Sequence, residues 1–252
     1  MMTSSFSYED YINDGAFLEN YNLYQARYME NIRESDKVIV SIVEDIVSNA
    51  EKKPLKILDI GCSTGNLLLH LSRRVSGSEY IGGDLALSSL EECRKNPELK
   101  GISFEHLDIM ELPEERFDVV IVNAVLYMFD AQQYDRALVS LAKTLKPGGT
   151  AIIYDFAHPF EHQLLTIDET SLMHPNGLRL SFRPMKYVTE HMTAAGFLAP
   201  IFRPFQLPID LPKPGYDEEV VTYTVDAADN SRMMFRGALF QPWCHMTAVR
   251  PA

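Results

Sequence analysis

Apolar positions along the chain change their period several times, and the changes mark out elements. From about Asn20 to Ala50 they recur at helical spacing, as at Val38, Ile42, Ile46 and Val47, so the first 50 residues read as helical. Lys53-Pro54 closes that stretch. Beyond it, short apolar runs alternate with amphipathic ones. Leu55–Ile60 (LKILDI), Glu79–Asp84, Ile102–His106, Phe117–Asn123 (FDVVIVN) and Thr150–Phe156 read as strands. Thr64–Arg74, with Leu67, Leu68 and Leu71 inward, then Leu87–Asn96 and Asp130–Leu145 read as the helices between them. Lys146-Pro147-Gly148-Gly149 ends the last of these and aims the next strand. Buried strands separated by helices predict βαβ units on a parallel sheet, with right-handed crossovers.

After Phe156 the alternation stops. Residues 157–184 are punctuated by proline, glycine and histidine and read as a loop or cap. Lys186–Ala195 reads as a helix with Gly196 just past its end. The tail from Phe197 to Arg250, rich in Phe, Val, Tyr and Met, reads as strands. The expected fold class is α/β. It is a Rossmann-like doubly wound sheet, mostly parallel with a C-terminal antiparallel strand, plus an N-terminal helical lid and an inserted cap.

Composition narrows the function. At 252 residues the chain is long enough for one large core without disulfide staples. Its 35 acidic against 23 basic residues give a net charge of −12, which counts against a nucleic-acid partner, since phosphate binding needs clustered Lys and Arg. The three cysteines, Cys62, Cys93 and Cys244, form no C-x-x-C pair, so no metal site is expected and a reducing cytoplasm suits them. No apolar run reaches the ~18 residues of a membrane span. The start, MMTSSFSYEDYINDGAF, lacks the basic and apolar regions of a secretory signal.

The chemistry gathers where strands end. Ile57-Leu58-Asp59-Ile60-Gly61-Cys62-Ser63-Thr64-Gly65-Asn66 turns from a strand into a helix. Gly61 and Gly65 permit a tight turn and close approach of backbone to a ligand. The following helix presents unpaired N–H groups. The G-x-G-x-x-G spacing of a dinucleotide site is absent, which disfavours a dehydrogenase. Asp59 instead suits a ligand with cationic groups and would repel a pyrophosphate. Asp84, ending the next strand in Gly82-Gly83-Asp84-Leu85, can accept from two ribose hydroxyls. Asp108, in Leu107-Asp108-Ile109, can accept from an adenine amine while Ile109 packs on the ring. Asn123 can donate and accept near the ligand's polar end. Each residue alone would pass as a cap or turn former. Together, at successive strand ends on one sheet edge, they read as a site.

This series, ILDIGCSTGN, GGDL, LDI, FDVVIVN and LKPGG in that order, resembles the motifs of class I S-adenosylmethionine-dependent methyltransferases of the small-molecule type. The resemblance covers roughly residues 54–156 and extends weakly onward through HMTAAGF. It implies S-adenosyl-L-methionine as cofactor. Asp59, Gly61, Cys62, Ser63 and Gly65 would then hold the methionine moiety, and Asp84 with Leu85 the ribose. Asp108 and Ile109 would hold the adenine, and Asn123 with Ala124 would line the sulfonium. Ser63 stands where the family usually has glycine. The implied organisation is a single domain over 1–252: a helical lid at 1–50, a cofactor-binding core at 54–156, and a substrate cap with the final strands at 157–252.

In-line methyl transfer to an oxygen or nitrogen of a small metabolite needs alignment, exclusion of water and a proton acceptor. His158, in Tyr154-Asp155-Phe156-Ala157-His158-Pro159, is the candidate base or a packed loop residue. Tyr127 is a pocket wall or a second candidate. Tyr24, Arg27 and Tyr28, with Tyr21, form either a packed aromatic face or a lid whose Arg27 pairs with the cofactor's carboxylate. Arg33 could serve in a plain surface pair. His191 and His174 read as helix-surface and cap-loop residues, and Trp243 and His245 as core or rim. Phe160, Leu164, Leu165, Met173, Phe182, Phe202, Phe205, Met233, Met234 and Phe235 could wall an apolar pocket or belong to ordinary core. The expected partner is a small-molecule acceptor, with no nucleic acid and no membrane, in a monomer or homodimer. The alternatives are an RNA or protein methyltransferase, or a non-catalytic cofactor-binding regulatory module.

Overall fold

The sheet is ordered by where its strands are buried. The structure, a computed structural model, describes residue 12 and residues 14–161, 164–169, 174, 177–215, 221–227, 229–237 and 239–252. Five parallel strands form its centre: β1 (Leu55–Ile60), β2 (Ser78–Asp84), β3 (Ser103–His106), β4 (Phe117–Asn123) and β5 (Leu145–His158). Their spatial order is β3-β2-β1-β4-β5, so the winding reverses between β1 and β4. Such a reversal leaves a crevice at the carboxyl ends of the strands. Antiparallel β12 (Trp243–Val249) continues the sheet beyond β5, and antiparallel β8 (Ile201–Pro204) follows β12.

Alternate side chains of each strand serve opposite layers. Ile57, Val119, Ile121 and Ile152 pack against α2 (Glu34–Asn49) and α3 (Asn66–Arg74) through Ile39, Val40, Val43, Leu68 and Leu71. Leu58, Val120, Val122 and Ile153 pack against α5 (Ala131–Thr144) and α6 (Met185–Ala194) through Leu138, Leu141 and Met192. Leu67, Leu68 and Leu71 are buried, as their spacing predicted. Each such aliphatic contributes about 2 kcal/mol by leaving water. Between β2 and β3 lies α4 (Leu87–Lys95). Among the described residues, no helix is long and apolar enough to cross a membrane.

Three expectations need correction. The N-terminal helical stretch is split into α1 (Gly15–Gln25), a 3-10 turn (Ala26–Tyr28) and α2. Asn66 Nδ2 donates to the Gln25 carbonyl at 2.7 Å, and His70 Nε2 lies 2.8 Å from the Tyr28 carbonyl. These contacts satisfy the backbone that a continuous helix would have kept for itself. The segment expected as a loop over 157–184 contains a hairpin, β6 (Leu165–Glu169) and β7 (Leu178–Pro184), whose end pairs with Ala157 and His158 of β5. Finally, β5 begins at Leu145 rather than Thr150. Leu145 pairs with Phe117, and the register then slips through a turn at Gly148, φ +78°. A separate antiparallel sheet holds β9 (Thr222–Asp226), β10 (Arg232–Arg236) and β11 (Leu239–Phe240).

Candidate cofactor site

The β1–α3 loop is held in a left-handed path. Gly61, Ser63 and Gly65 have φ of +79°, +48° and +74°. Gly61 and Cys62 both donate to the Gly83 carbonyl, at 2.7 and 3.1 Å. A Cβ on Gly61 would lie 2.6 Å from Val125 Cγ2, so a side chain there would force Val125 to shift. Ser63 adopts the conformation that glycine favours, as does Ala124 at the end of β4 (φ +58°), and each costs about 1–2 kcal/mol. Both strained residues follow the carboxyl ends of neighbouring strands, β1 and β4.

Three carboxyls gather around this loop. Asp84 accepts from Ser63 N–H through Oδ2 and from Ala86 N–H through Oδ1, both at 2.8 Å. It ties the two loops together and keeps spare lone pairs for further donors. Asp59 shares the sheet face of Ile57, is 2% exposed, and its Oδ1 has no hydrogen-bond partner. Burial, then the charges of Asp36 and Asp84, push its carboxyl up to about 8. Asp36, from the first turn of α2, is buried and accepts from Asn123 Nδ2 at 3.0 Å. Burial raises it too, against the opposing charge of Arg33. Ser63 Oγ and Asn66 Oδ1 are also buried without a partner. Asp108 Oδ1 accepts from Met110 N–H at 2.8 Å, Ile109 is buried beside it, and the Leu85 carbonyl accepts from His106 Nε2 at 3.1 Å.

The N-terminal segment presents a different face from the expected one. Tyr24 is 40% exposed, its hydroxyl lies 2.9 Å from that of Tyr28, and Arg27 stacks over its ring. The groups turned toward the sheet edge are Tyr21, Gln25 and Arg33. Tyr21 is desolvated beside the charges of Arg33 and Asp84. Gln25 is buried and accepts from Arg33, which also stacks over Tyr28 at 4.5 Å. Sequence reading missed Gln25, Asp36 and Asn66 and gave Arg33 a surface role. The signal was available for Asn66, which directly follows the Gly65 turn.

On the β5 side, Tyr127 packs on Phe156 and Trp243, with ring centroids 5.5 and 5.9 Å away. The turn carrying it, Leu126–Met128, is gripped from below by buried Arg183, which donates to the Leu126 and Phe129 carbonyls at 3.2 and 2.8 Å. Asp155, equally buried, receives the Phe156 N–H at 2.6 Å, and desolvation moves it up to about 7 despite the nearby Arg183 charge. His158 is 4% exposed, and its Nδ1 accepts from Phe160 N–H at 3.2 Å. His191 contacts Asp135 and stacks on Tyr187 at the helix surface. His245 is buried against the Ser35 carbonyl, and Trp243 stacks on Tyr154. Met173 lies outside the described residues.

Residues 57–149 match the family described as a methyltransferase domain. That match spans 93 of the 252 residues and makes this segment similar to methyltransferase domains. The chain is 33% identical over 113 residues to a demethylmenaquinone methyltransferase of Thermus thermophilus, covering 43% of this chain and 50% of that protein. It is 30% identical over 131 residues to a 2-phytyl-1,4-naphtoquinone methyltransferase of Nostoc punctiforme, covering 49% and 56%. The chain thus spans about half the length of the curated relatives it matches. Two solved structures share the fold. A chain from the complex of the Haloferax volcanii Trm112 methyltransferase activator with a methyltransferase superposes with a TM-score of 0.62 at 18% identity, over 94% of this chain and 98% of that one. Burkholderia thailandensis 1,6-didemethyltoxoflavin-N1-methyltransferase, bound to S-adenosylhomocysteine, gives 0.57 at 16%, over 98% and 92%.

The residues present would fit a ligand such as S-adenosylmethionine. Buried oxygens of Asp59, Ser63 and Asn66 await donors, and three desolvated carboxyls converge where a ligand with a sulfonium and an ammonium would bring positive charge.

Proposed function

We propose that this chain transfers a methyl group from S-adenosylmethionine to a small organic acceptor. The buried Asp59, with an unsatisfied oxygen at the point where the sheet's winding reverses, carries the reading. When bound, the cofactor supplies a methyl group on a sulfonium, activated for in-line displacement. In this proposal Asp59, Gly61, Cys62, Ser63 and Gly65 hold the methionine end. Asp84 and Leu85 hold the ribose, Asp108 and Ile109 the adenine, and Asn123 with Ala124 borders the reacting sulfur. Arg33, rather than the outward Arg27, takes the carboxylate, and Tyr24 and Tyr28 cover the site from outside. Of the expected lid, α1 and the turn after it close over the sheet edge, whereas α2 belongs to the packed core, and the described residues after β5 form the acceptor side. Tyr127 walls the acceptor site against Trp243, and His158 takes the acceptor's proton.

The aromatic cluster of Phe156 and Trp243 beside Tyr127 supports a small-molecule acceptor. An oxygen or nitrogen nucleophile is the first assignment. A ring carbon is the second, supported by the quinone methyltransferases among the relatives. The three cysteines are buried free thiols, in keeping with a cytoplasmic site of action. Calorimetry with S-adenosylmethionine tests the proposal: binding is expected, and NADH binding in its place would overturn it. A methyl-transfer screen over quinones, phenols and heterocyclic amines then assigns the acceptor.

A further inference from the structure

The side-chain amide of Asn66 is held at one end only. Asn66 opens α3 directly after the Gly65 turn and is 7% exposed. Its Nδ2 donates to the Gln25 main-chain carbonyl at 2.7 Å. A carbonyl only accepts, so this bond fixes which way the amide is turned. Oδ1 is thereby committed to the other side, where it is buried without a partner among the described residues. An enclosed oxygen left without a donor is costly, and it points to a donor that arrives with a ligand. Asp59 Oδ1 and Ser63 Oγ, on the same β1–α3 connection, are in the same condition. An ammonium group brings several N–H donors to such a set of acceptors.

The far end of the bond is equally specific. Gln25 ends α1 and is 3% exposed. Its main-chain carbonyl goes to Asn66, and its side-chain Oε1 accepts from Arg33. His70, one turn further along the same face of α3, adds a second grip, with Nε2 2.8 Å from the Tyr28 carbonyl. The end of α1 is thus fastened to the cofactor loop through one amide and to Arg33 through another.

We infer that Asn66 binds the α-ammonium of S-adenosylmethionine through Oδ1 and, through Nδ2, makes the seating of α1 depend on that ammonium. The inference rests on the cofactor proposed above and adds Asn66 to the residues that hold it. Arg33 takes the carboxylate, so Gln25 is joined to the readers of both groups on the cofactor's α-carbon. A cation on Oδ1 polarises the amide and makes Nδ2 a stronger donor to the Gln25 carbonyl. The coupling is reciprocal: a ligand that fastens α1 is itself held more firmly by the fastened α1. A nucleoside without the amino-acid portion leaves Oδ1 unbonded and gives α1 no such hold.

Two ligands separate the contributions. S-adenosylhomocysteine carries the ammonium and carboxylate, and 5′-methylthioadenosine keeps the adenosine and sulfur without them. At saturation, S-adenosylhomocysteine should slow amide hydrogen exchange across Ala26–Met29 of the wild-type chain, and 5′-methylthioadenosine should not. By calorimetry, Asn66→Ala should weaken S-adenosylhomocysteine by about tenfold or more and leave 5′-methylthioadenosine within about threefold. Asn66→Asp keeps an oxygen for the ammonium but sets a carboxylate against the Gln25 carbonyl. It should retain S-adenosylhomocysteine binding while losing the slowed exchange. Equal slowing by both ligands in the wild type overturns the inference without recourse to any variant. Equal loss of both ligands in Asn66→Ala overturns it too, as does slowing undiminished in Asn66→Asp. If the wild type binds both ligands and Asn66→Ala leaves their affinity ratio unchanged, the cofactor reading stands and only the role of Asn66 falls. If the wild type binds neither, the cofactor reading itself fails and takes Asn66 with it.

Discussion

Asp59→Asn should stabilise the ligand-free protein while weakening its hold on cofactor. The carboxyl moves from an ordinary 3.8 to about 8 on folding, because burial and then the charges of Asp36 and Asp84 disfavour ionisation. For a carboxyl raised on folding the sign is opposite to the usual one. Below about pH 4 the group is protonated in both states and costs nothing. As pH climbs to 8 the unfolded chain gives up its proton while the folded one keeps it, so stability falls by about 1.4 kcal/mol per unit. The loss reaches on the order of 5 kcal/mol at pH 8, a large part of the 5–15 kcal/mol that typically holds a domain together. An amide removes the titration. Urea unfolding of wild type and Asp59→Asn at half-unit steps between pH 5 and 8 reads the difference directly. The two curves should diverge as pH rises, with the variant more stable. S-adenosylmethionine affinity should fall by about tenfold or more, as for loss of a charged acceptor. Parallel curves would refute the claim that this carboxyl is kept in a desolvated, self-repelling site.

Other consequences follow from single contacts. Arg183→Met frees the Leu126 and Phe129 carbonyls and strands Asp155 without its neighbouring charge. It should cost about 3 kcal/mol and shift the emission of Trp243, the chain's one tryptophan, which touches Tyr127; an unmoved urea midpoint would contradict this. His245, buried and lowered from 6.5 to about 4, stays neutral in the fold while the unfolded chain protonates. Stability should therefore drop by about 3 kcal/mol between pH 6.5 and 4, and His245→Phe should flatten that acid limb in a melting series. Gly61→Ala meets Val125 and a left-handed backbone. Its melting temperature and cofactor affinity should both fall, whereas retention of both would show that the loop can rearrange.

The legible part of this chain was the part where one local signal fixes one element. FDVVIVN forms β4 with the bounds its apolar run predicts, because a strand buried on both faces needs no more information than continuous hydrophobicity. Asp130 caps α5 through a reciprocal bond with Gln133, a signature read within four positions. Gly61, Asp84 and Asn123 were legible for the same reason: each sits at the end of a strand already located. What escaped depends on contacts between distant segments. The break after Gln25 comes from Asn66 and His70, side chains of a helix far along the chain that capture its carbonyls. The β6–β7 hairpin owes its register to cross-strand partners and to the end of β5, not to a clean alternation of its own. Asp36 was hidden by its position, since an acid in the first turn of a helix reads as a favourable dipole partner on the surface. In the fold the same residue is buried and bonded to Asn123 Nδ2 at the end of β4. Where a polar residue breaks no local rule, only the fold reveals that its charge is enclosed. The strand-end residues proposed to hold the cofactor are legible strand by strand, while the break after Gln25 is written in pairings between layers.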